Sequence, residues 1–453
     1  MDITKVKCVY FLGIGGIGMS ALAHYFLHNG CAVYGYDLTP SDVTDTLAQQ
    51  GVVIHFEEDI TQIPPQVDLV IHTPAVSTQH AEYQYFVTHR IPIYKRAQLL
   101  GLISKTKPTI AVAGTHGKTS TTALISHILH PEKSIMAFIG GIAKNLNSNF
   151  TVNDCYEMIV AEADEYDRSF LSLHPSTAII TSMDADHLDI YGGKESLEES
   201  FQLFANQIAK EGHLIIHEKI ASQIKHPHKI TYSFSESADY YASDIRLYPN
   251  RTIFTLHGQG ETIPDIELSV PGAYNLLNAL AAIAAVRVAY QGRGEAIDLA
   301  WLTSKLSSFS GVKRRFDYQL YRDDIVYIDD YAHHPEEIRS FLQAVKAIFP
   351  DKKITAIFQP HLYSRTRDFA NEFATTLAIA DEVILLDIYP ARELPIEGVT
   401  SNWLLSLIDK EEKIALTKEA LLPYLQEHKP EILVTIGAGD IDRLVPKIRD
   451  IFN

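Results

Sequence analysis

Ala113-Gly114-Thr115-His116-Gly117-Lys118-Thr119-Ser120 follows a short apolar stretch, Thr109–Ala113, and runs into a helical one, Thr121–Leu129. A glycine-bearing loop between a strand and a helix turns backbone N–H groups, with the helix N-terminus behind them, toward phosphate oxygens. A lysine there neutralises β- and γ-phosphates, and a following threonine hydroxyl can bind Mg²⁺. The spacing departs from the commonest phosphate loop. Val112 stands where its first glycine is expected, and Gly114 lies closer in. The strand–loop–helix context still predicts a nucleotide-binding α/β domain.

The same grammar recurs outward from this loop. Toward the N-terminus, Cys8–Leu12 is apolar and runs into Gly13-Ile14-Gly15-Gly16-Ile17-Gly18, then a helical Met19–His28, then a strand Ala32–Tyr36 closed by Asp37. This meets the G-x-G-x-x-G pattern. It fits a dinucleotide, with Asp37 on a ribose hydroxyl, and it fits a nucleotide-sugar diphosphate equally well. Val67–His72 and Ile91–Tyr94 read as later strands of the block.

Beyond the phosphate loop, Glu162-Ala163-Asp164-Glu165 closes a strand Met158–Ala161. Asp184-Ala185-Asp186-His187-Leu188-Asp189 closes the next, Ala178–Thr181. Carboxylates at that edge face ligands in open α/β sheets, so Glu162 with His187 is a candidate Mg²⁺ site, although Mg²⁺ prefers oxygen ligands. Segment 230–270 is rich in short β-like runs and reads as an antiparallel insert. Asn275 and Asn278, three apart at the start of an Ala-rich helix Asn275–Tyr290, either read a nucleobase edge or cap the helix.

The last block holds strands Ile325–Ile328, Ile354–Phe358, Glu382–Leu386 and Ile432–Ile436. Asp329-Asp330-Tyr331-Ala332-His333-His334-Pro335, Gln359-Pro360-His361-Leu362-Tyr363-Ser364-Arg365, Ala391-Arg392-Glu393 and Gly437-Ala438-Gly439-Asp440 follow these strands. Such clusters should line one edge of one sheet, and their His and Arg side chains predict an anion site.

The length of 453 residues suggests about three domains at roughly 150 each. Lys plus Arg is 39 and Asp plus Glu 56, a net charge of −17, which argues against a surface built to grip nucleic acid. The three cysteines, Cys8, Cys31 and Cys155, form no CxxC pair and suggest a reducing compartment. The N-terminus lacks the order of a signal peptide. No run of about 18 apolar residues predicts a membrane span. The expectation is an acidic, cytoplasmic chain with small-molecule partners and neither nucleic acid nor membrane among them.

Taken in order, the two glycine loops, Glu162-Ala163-Asp164-Glu165, Asp329–Pro335 and Phe358-Gln359-Pro360-His361 resemble the ATP-dependent Mur ligases of peptidoglycan synthesis. The resemblance spans essentially the whole chain. It implies three α/β domains: a Rossmann-like UDP-sugar domain (1–106), a P-loop ATPase-like domain (107–311) and a Rossmann-like amino-acid domain (312–453). Within the family the motifs lie nearest the members that add L-alanine to UDP-N-acetylmuramate. There ATP phosphorylates the lactyl carboxylate and the amine attacks the acyl phosphate. A sibling that adds a whole tripeptide is the alternative. An NAD-dependent oxidoreductase is a second, which leaves the loop at Gly114 unexplained.

The resemblance also implies residue roles. Gly114, Thr115, His116, Gly117, Lys118, Thr119, Ser120, Asn275, Asn278 and Arg314 would bind ATP, the two asparagines on the adenine side. Gly13, Gly15, Gly16, Gly18, Asp37 and Ser77 would hold the UDP-sugar. Thr119, Glu162 and His187 would serve Mg²⁺. Tyr331, His333 and Arg365 would form the amino-acid site. Lys118, His187, His333 and Arg365 form the implied catalytic set. The oligomeric state stays open.

Overall fold

The computed structural model of the chain describes residues 2–184, 193–391 and 393–453. The described residues form three sheets, each flanked by helices. The first holds β1 (Cys8–Leu12), β2 (Ala32–Tyr36), β3 (Val53–His55), β4 (Leu69–His72) and β5 (Ile93–Lys95) in the order β3-β2-β1-β4-β5. All its pairings are parallel. Val9, Tyr10, Phe11 and Leu12 are wholly inaccessible, as a strand covered on both faces requires. The helix Ile17–His28 lays Met19, Leu22, Ala23 and Phe26 on that sheet. The strand order reverses between β1 and β4, so a crevice opens outside their carboxyl ends.

The second sheet comprises β6 (Thr109–Ala113), β7 (Ile135–Ala143), β8 (Ser148–Val152), β9 (Met158–Glu162), β10 (Thr177–Ile180), β11 (His213–His217), β12 (Lys229–Ser233), β13 (Tyr240–Tyr248), β14 (Arg251–Gly258) and β15 (Glu261–Leu268). Its order is β15-β14-β13-β12-β11-β10-β6-β9-β7-β8. β6 lies between β10 and β9, parallel to both. The expected β-rich insert is therefore a continuation of this sheet. β13, β14 and β15 follow one another through two-residue turns, which suit antiparallel neighbours.

The third sheet holds β16 (Asp317–Tyr321), β17 (Val326–Asp330), β18 (Ile354–Phe358), β19 (Glu382–Leu385), β20 (Lys413–Ala415) and β21 (Ile432–Ile436), ordered β16-β17-β21-β18-β19-β20. Only β16 runs antiparallel. The amphipathic helix Pro335–Ile348 buries Ile338, Phe341, Leu342 and Val345 against this sheet.

By compactness the chain divides into residues 1–243 with 255–264 and 277–306, and residues 244–254 with 265–276 and 307–453. One described helix, Ala273–Gln291, is long and apolar enough to cross a membrane. Ala279 through Val286 are wholly inaccessible within the protein, so that apolar length serves the interior.

Candidate active site

The phosphate-type loop joins β6 to the helix Lys118–Leu129. Gly114 at φ +130° and Gly117 at φ +78° take backbone conformations that a side chain would strain. Residues after β10 clasp the loop from the next strand. Ser182 Oγ accepts the His116 N–H at 2.9 Å and bonds Thr115 Oγ1 at 2.9 Å. Thr181 Oγ1 donates to His116 O, and Thr115 Oγ1 accepts from Asp184 N at 3.1 Å. Sequence reasoning passed over Thr181 and Ser182. The signal was there, since they directly follow a strand whose end meets the loop.

Lys118 Nζ donates to Gly114 O at 2.7 Å, Thr115 O at 3.3 Å and Glu165 at 2.9 Å. The Glu165 side chain is 1% exposed and the Lys118 side chain 14%. Burial alone would lower the lysine's pKa, but the Glu165, Asp164 and Glu162 carboxylates hold it well above its ordinary value. Burial pushes the Glu165 carboxyl up against the pull of Lys118. The lysine is therefore a charged group, held in the loop by a buried counter-ion. Thr119 and Ser120 lie buried in the first helical turn.

Glu162 ends β9 beside Val112 of β6. Its Oε2 accepts Gly140 N at 2.9 Å, and a Cβ on Gly140 would collide with the carboxylate. A hard oxygen donor thus sits on the strand next to Thr119's loop. His187 lies outside the described residues, as does Arg392. Asn278 Oδ1 stands 2.5 Å from where a Cβ on Gly117 would be, so its amide lies against the phosphate loop. Asn275, in the first turn of the helix Ala273–Gln291, donates from Nδ2 to Pro271 O at 2.7 Å, which is not the N–H-accepting bond of a cap.

At the first glycine loop, Gly13 at φ +87° turns the chain, and Gly13 and Ile14 both donate to Tyr36 O. Asp37 Oδ2 accepts the Gly15 N–H at 2.7 Å. The carboxylate expected on a ribose thus braces the loop. A Cβ on Gly15 would meet Asp37 and Thr44 at 2.9 Å. A Cβ on Gly16 meets nothing closer than 3.6 Å. The protein itself forbids a side chain at Gly15 and leaves room for one at Gly16. Thr73 and Val76, after β4, pack on Gly13, and the exposed Ser77 follows them on the same loop.

In the third sheet the expected strand-end clusters do meet at one edge. Two guanidinium groups stand by the Tyr331 ring, Arg314 at 5.2 Å and Arg315 at 5.1 Å from its centroid. Burial raises its hydroxyl pKa, while Arg315, Arg314 and Arg365 pull it down. His333 contacts Glu337 at 3.3 Å, and its ring is 6.2 Å from that of His361. Arg365 is 9% exposed and follows Leu362, whose φ of +71° is rare for a non-glycine residue. Arg314, expected with ATP, bonds Asp329 Oδ2 at 3.1 Å and Gly437 O at 2.6 Å. His334 caps the helix Pro335–Ile348 in a reciprocal box with Glu337. Arg315 went unnoticed in the sequence because nothing there says that it lies on Tyr331.

Two glycine loops, each leading from a parallel strand into a helix and one of them carrying a buried-pair lysine, define an α/β architecture of the nucleotide-binding class. The chain belongs to the Mur ligase family. Three of its models match in series: Mur ligase family, catalytic domain (residues 8–108); Mur ligase middle domain (112–286); and Mur ligase, glutamate ligase domain (314–439). The family is ATP-dependent, so the oxidoreductase reading of the first loop falls. The chain is similar to the UDP-N-acetylmuramate–L-alanine ligase of Flavobacterium johnsoniae, 46% identical over 100% of this chain and 99% of the relative. The same-named ligase of Parabacteroides distasonis is 45% identical over 100% and 98%. Among solved structures, the UDP-N-acetylmuramate-alanine ligase of Thermotoga maritima aligns at TM-score 0.82 and 30% identity over 99% of both chains. A murein peptide ligase from Psychrobacter arcticus, at TM-score 0.71 and 24% identity over 98% of both chains, shares the fold.

Proposed function

We propose that the chain joins L-alanine to the lactyl carboxylate of UDP-N-acetylmuramate at the expense of ATP. The products are the amide, ADP and phosphate, in a cytoplasmic step of peptidoglycan synthesis on which cell shape and division depend. The carrying observation is the full-length likeness, at 46% identity, to a relative of that name. Residues 1–106 hold the UDP-sugar on Gly13, Gly15, Gly16 and Gly18. Residues 107–311 hold ATP on the Gly114–Ser120 loop, with Asn278 against it. Residues 312–453 take the amino acid at Tyr331, His333 and Arg365.

The chemistry asks little beyond charge and position. Lys118 and the loop N–H groups offset the charge of the γ-phosphoryl group as the lactyl carboxylate attacks it in line. The acyl phosphate that forms is activated toward the amine of L-alanine. Attack gives a tetrahedral centre that expels phosphate. Arg365 offers the alanine carboxylate a planar fork. The oxygen donors of Glu162 and Thr119 fit Mg²⁺, with His187 as a third candidate, and the ion would supply further charge neutralisation.

Phosphate release tests the reading. With ATP, Mg²⁺ and UDP-N-acetylmuramate present, release should depend on L-alanine and exceed that with every other amino acid. Release with the murein tripeptide but not with L-alanine would transfer the chain to the recycling reaction.

A further inference from the structure

Arg96 opens the helix Arg96–Ser104, directly after β5. Its guanidinium lies across the first turn of the helix Ile17–His28. A Cβ on Gly18 would stand 2.5 Å from Arg96 Nη1 and 2.9 Å from its Cδ. Nη2 donates to Asp164 Oδ2 at 2.9 Å, and the side chains are 28% and 35% exposed. Among the described residues Asp164 is the one hydrogen-bond partner of Arg96. A guanidinium serving only as a strut to a carboxylate would gain most by a two-pronged contact. This one makes a single bond and leaves Nη1 on the glycine side. A neighbouring strut already exists, with Lys95 Nζ 3.0 Å from Asp167.

The unshared arm therefore lies at the amino end of a 12-residue helix, where backbone N–H groups and the helix dipole favour an anion. We propose that Arg96 is a substrate-binding residue of the first glycine loop. One arm takes an anionic oxygen of the sugar nucleotide, and the other stays on Asp164. The anion is either the diphosphate or the lactyl carboxylate. Because Asp164 adjoins Glu165, the counter-ion of Lys118, the same side chain ties sugar-nucleotide occupancy to the segment that holds the ATP lysine.

The inference rests on the proposed reaction, and titration calorimetry of the full chain without ATP separates the two. Wild type should bind UDP-N-acetylmuramate; if it does not, the proposed function fails. Arg96→Ala should bind it at least tenfold more weakly, Arg96→Lys at least threefold more weakly, and Asp164→Asn within threefold of wild type. UDP and UDP-N-acetylglucosamine identify the anion. A penalty on all three ligands marks the diphosphate, and one confined to UDP-N-acetylmuramate marks the carboxylate. Equal affinity in wild type and Arg96→Ala overturns the proposal. So does an equal loss in Asp164→Asn, which would make Arg96 a strut. If melting shows that Arg96→Ala does not fold, Arg96→Lys decides, and wild-type affinity there overturns the proposal.

Discussion

The Lys118 ammonium has three N–H donors, and Gly114 O, Thr115 O and the Glu165 carboxylate take them all. Truncating this side chain strands a buried carboxylate. Breaking one side of a buried pair costs about 3–5 kcal/mol, whereas neutralising both sides costs far less. Lys118→Ala should therefore lower the melting temperature as well as cutting turnover at least ~100-fold. The neutral pair Lys118→Met with Glu165→Gln should restore most of the melting temperature and none of the turnover. Turnover near wild type in that folded double variant would remove Lys118 from the mechanism. Gly15 and Gly16 make a second pair. Gly16 sits at φ −62° and ψ 139° with space beside it, so an alanine there is compatible with the fold. Gly16→Ala should melt within about 2 °C of wild type, since a surface change is worth about ±0.5 kcal/mol. It should raise the KM for UDP-N-acetylmuramate at least tenfold. Gly15→Ala should melt lower. An unchanged KM in Gly16→Ala would mean that no ligand approaches the loop there.

At the level of elements, the strands that carry the site were legible because burial on both faces leaves a continuous apolar run. Thr109–Ala113, Ile354–Phe358 and Ile432–Ile436 appear with the bounds the sequence suggests. Helix starts were less legible. The run at 121–129 begins at Lys118, and Gly117 in the left-handed region enters it without any capping side chain. What the pattern does not carry is the identity of long-range partners. Ser182 on His116, Arg96 on Gly18 and Arg315 on Tyr331 join residues that are distant in sequence, and no local period marks them. Asp37 shows the limit most clearly. Its place after β2 was legible, but the fold points one oxygen at Gly15 N. As a brace, the position needs an acceptor and not a charge. Asp37→Asn should keep the UDP-sugar KM within about threefold, whereas Asp37→Ala should raise it more and lower the melting temperature, a hydrogen bond being worth about 1 kcal/mol. Equal, large KM increases in both variants would mean that the charge itself serves the ligand, as it would on a ribose.

For the whole molecule, the three-domain α/β plan followed from length and from repeated strand–glycine–helix units, and three sheets carry it. Charge behaves differently, because the −17 total says nothing about where an individual carboxylate is placed. Asp330 ends β17 wholly inside the protein. Burial pushes its carboxyl up to about 6, against the pull of Arg315 and of the Phe316 and Ala332 N–H groups that it accepts at 2.7 and 2.8 Å. The unfolded chain releases that proton near pH 3.9. Between about pH 4 and 6 the native state holds a proton that the unfolded state has lost, so stability from this group falls as pH rises. The contribution is complete below about pH 4 and gone once pH passes through 6, a change of about 3 kcal/mol. Asp330→Asn removes the titration and resembles the protonated side chain. Its stability relative to wild type should therefore improve by about that amount between pH 4 and pH 7, whatever the fixed cost of losing one acceptor. Urea melts of both proteins at unit pH steps measure the difference. A difference that stays flat across the range would mean that Asp330 is already ionised in the native state at pH 4, and that Arg315 and the two N–H groups outweigh its burial.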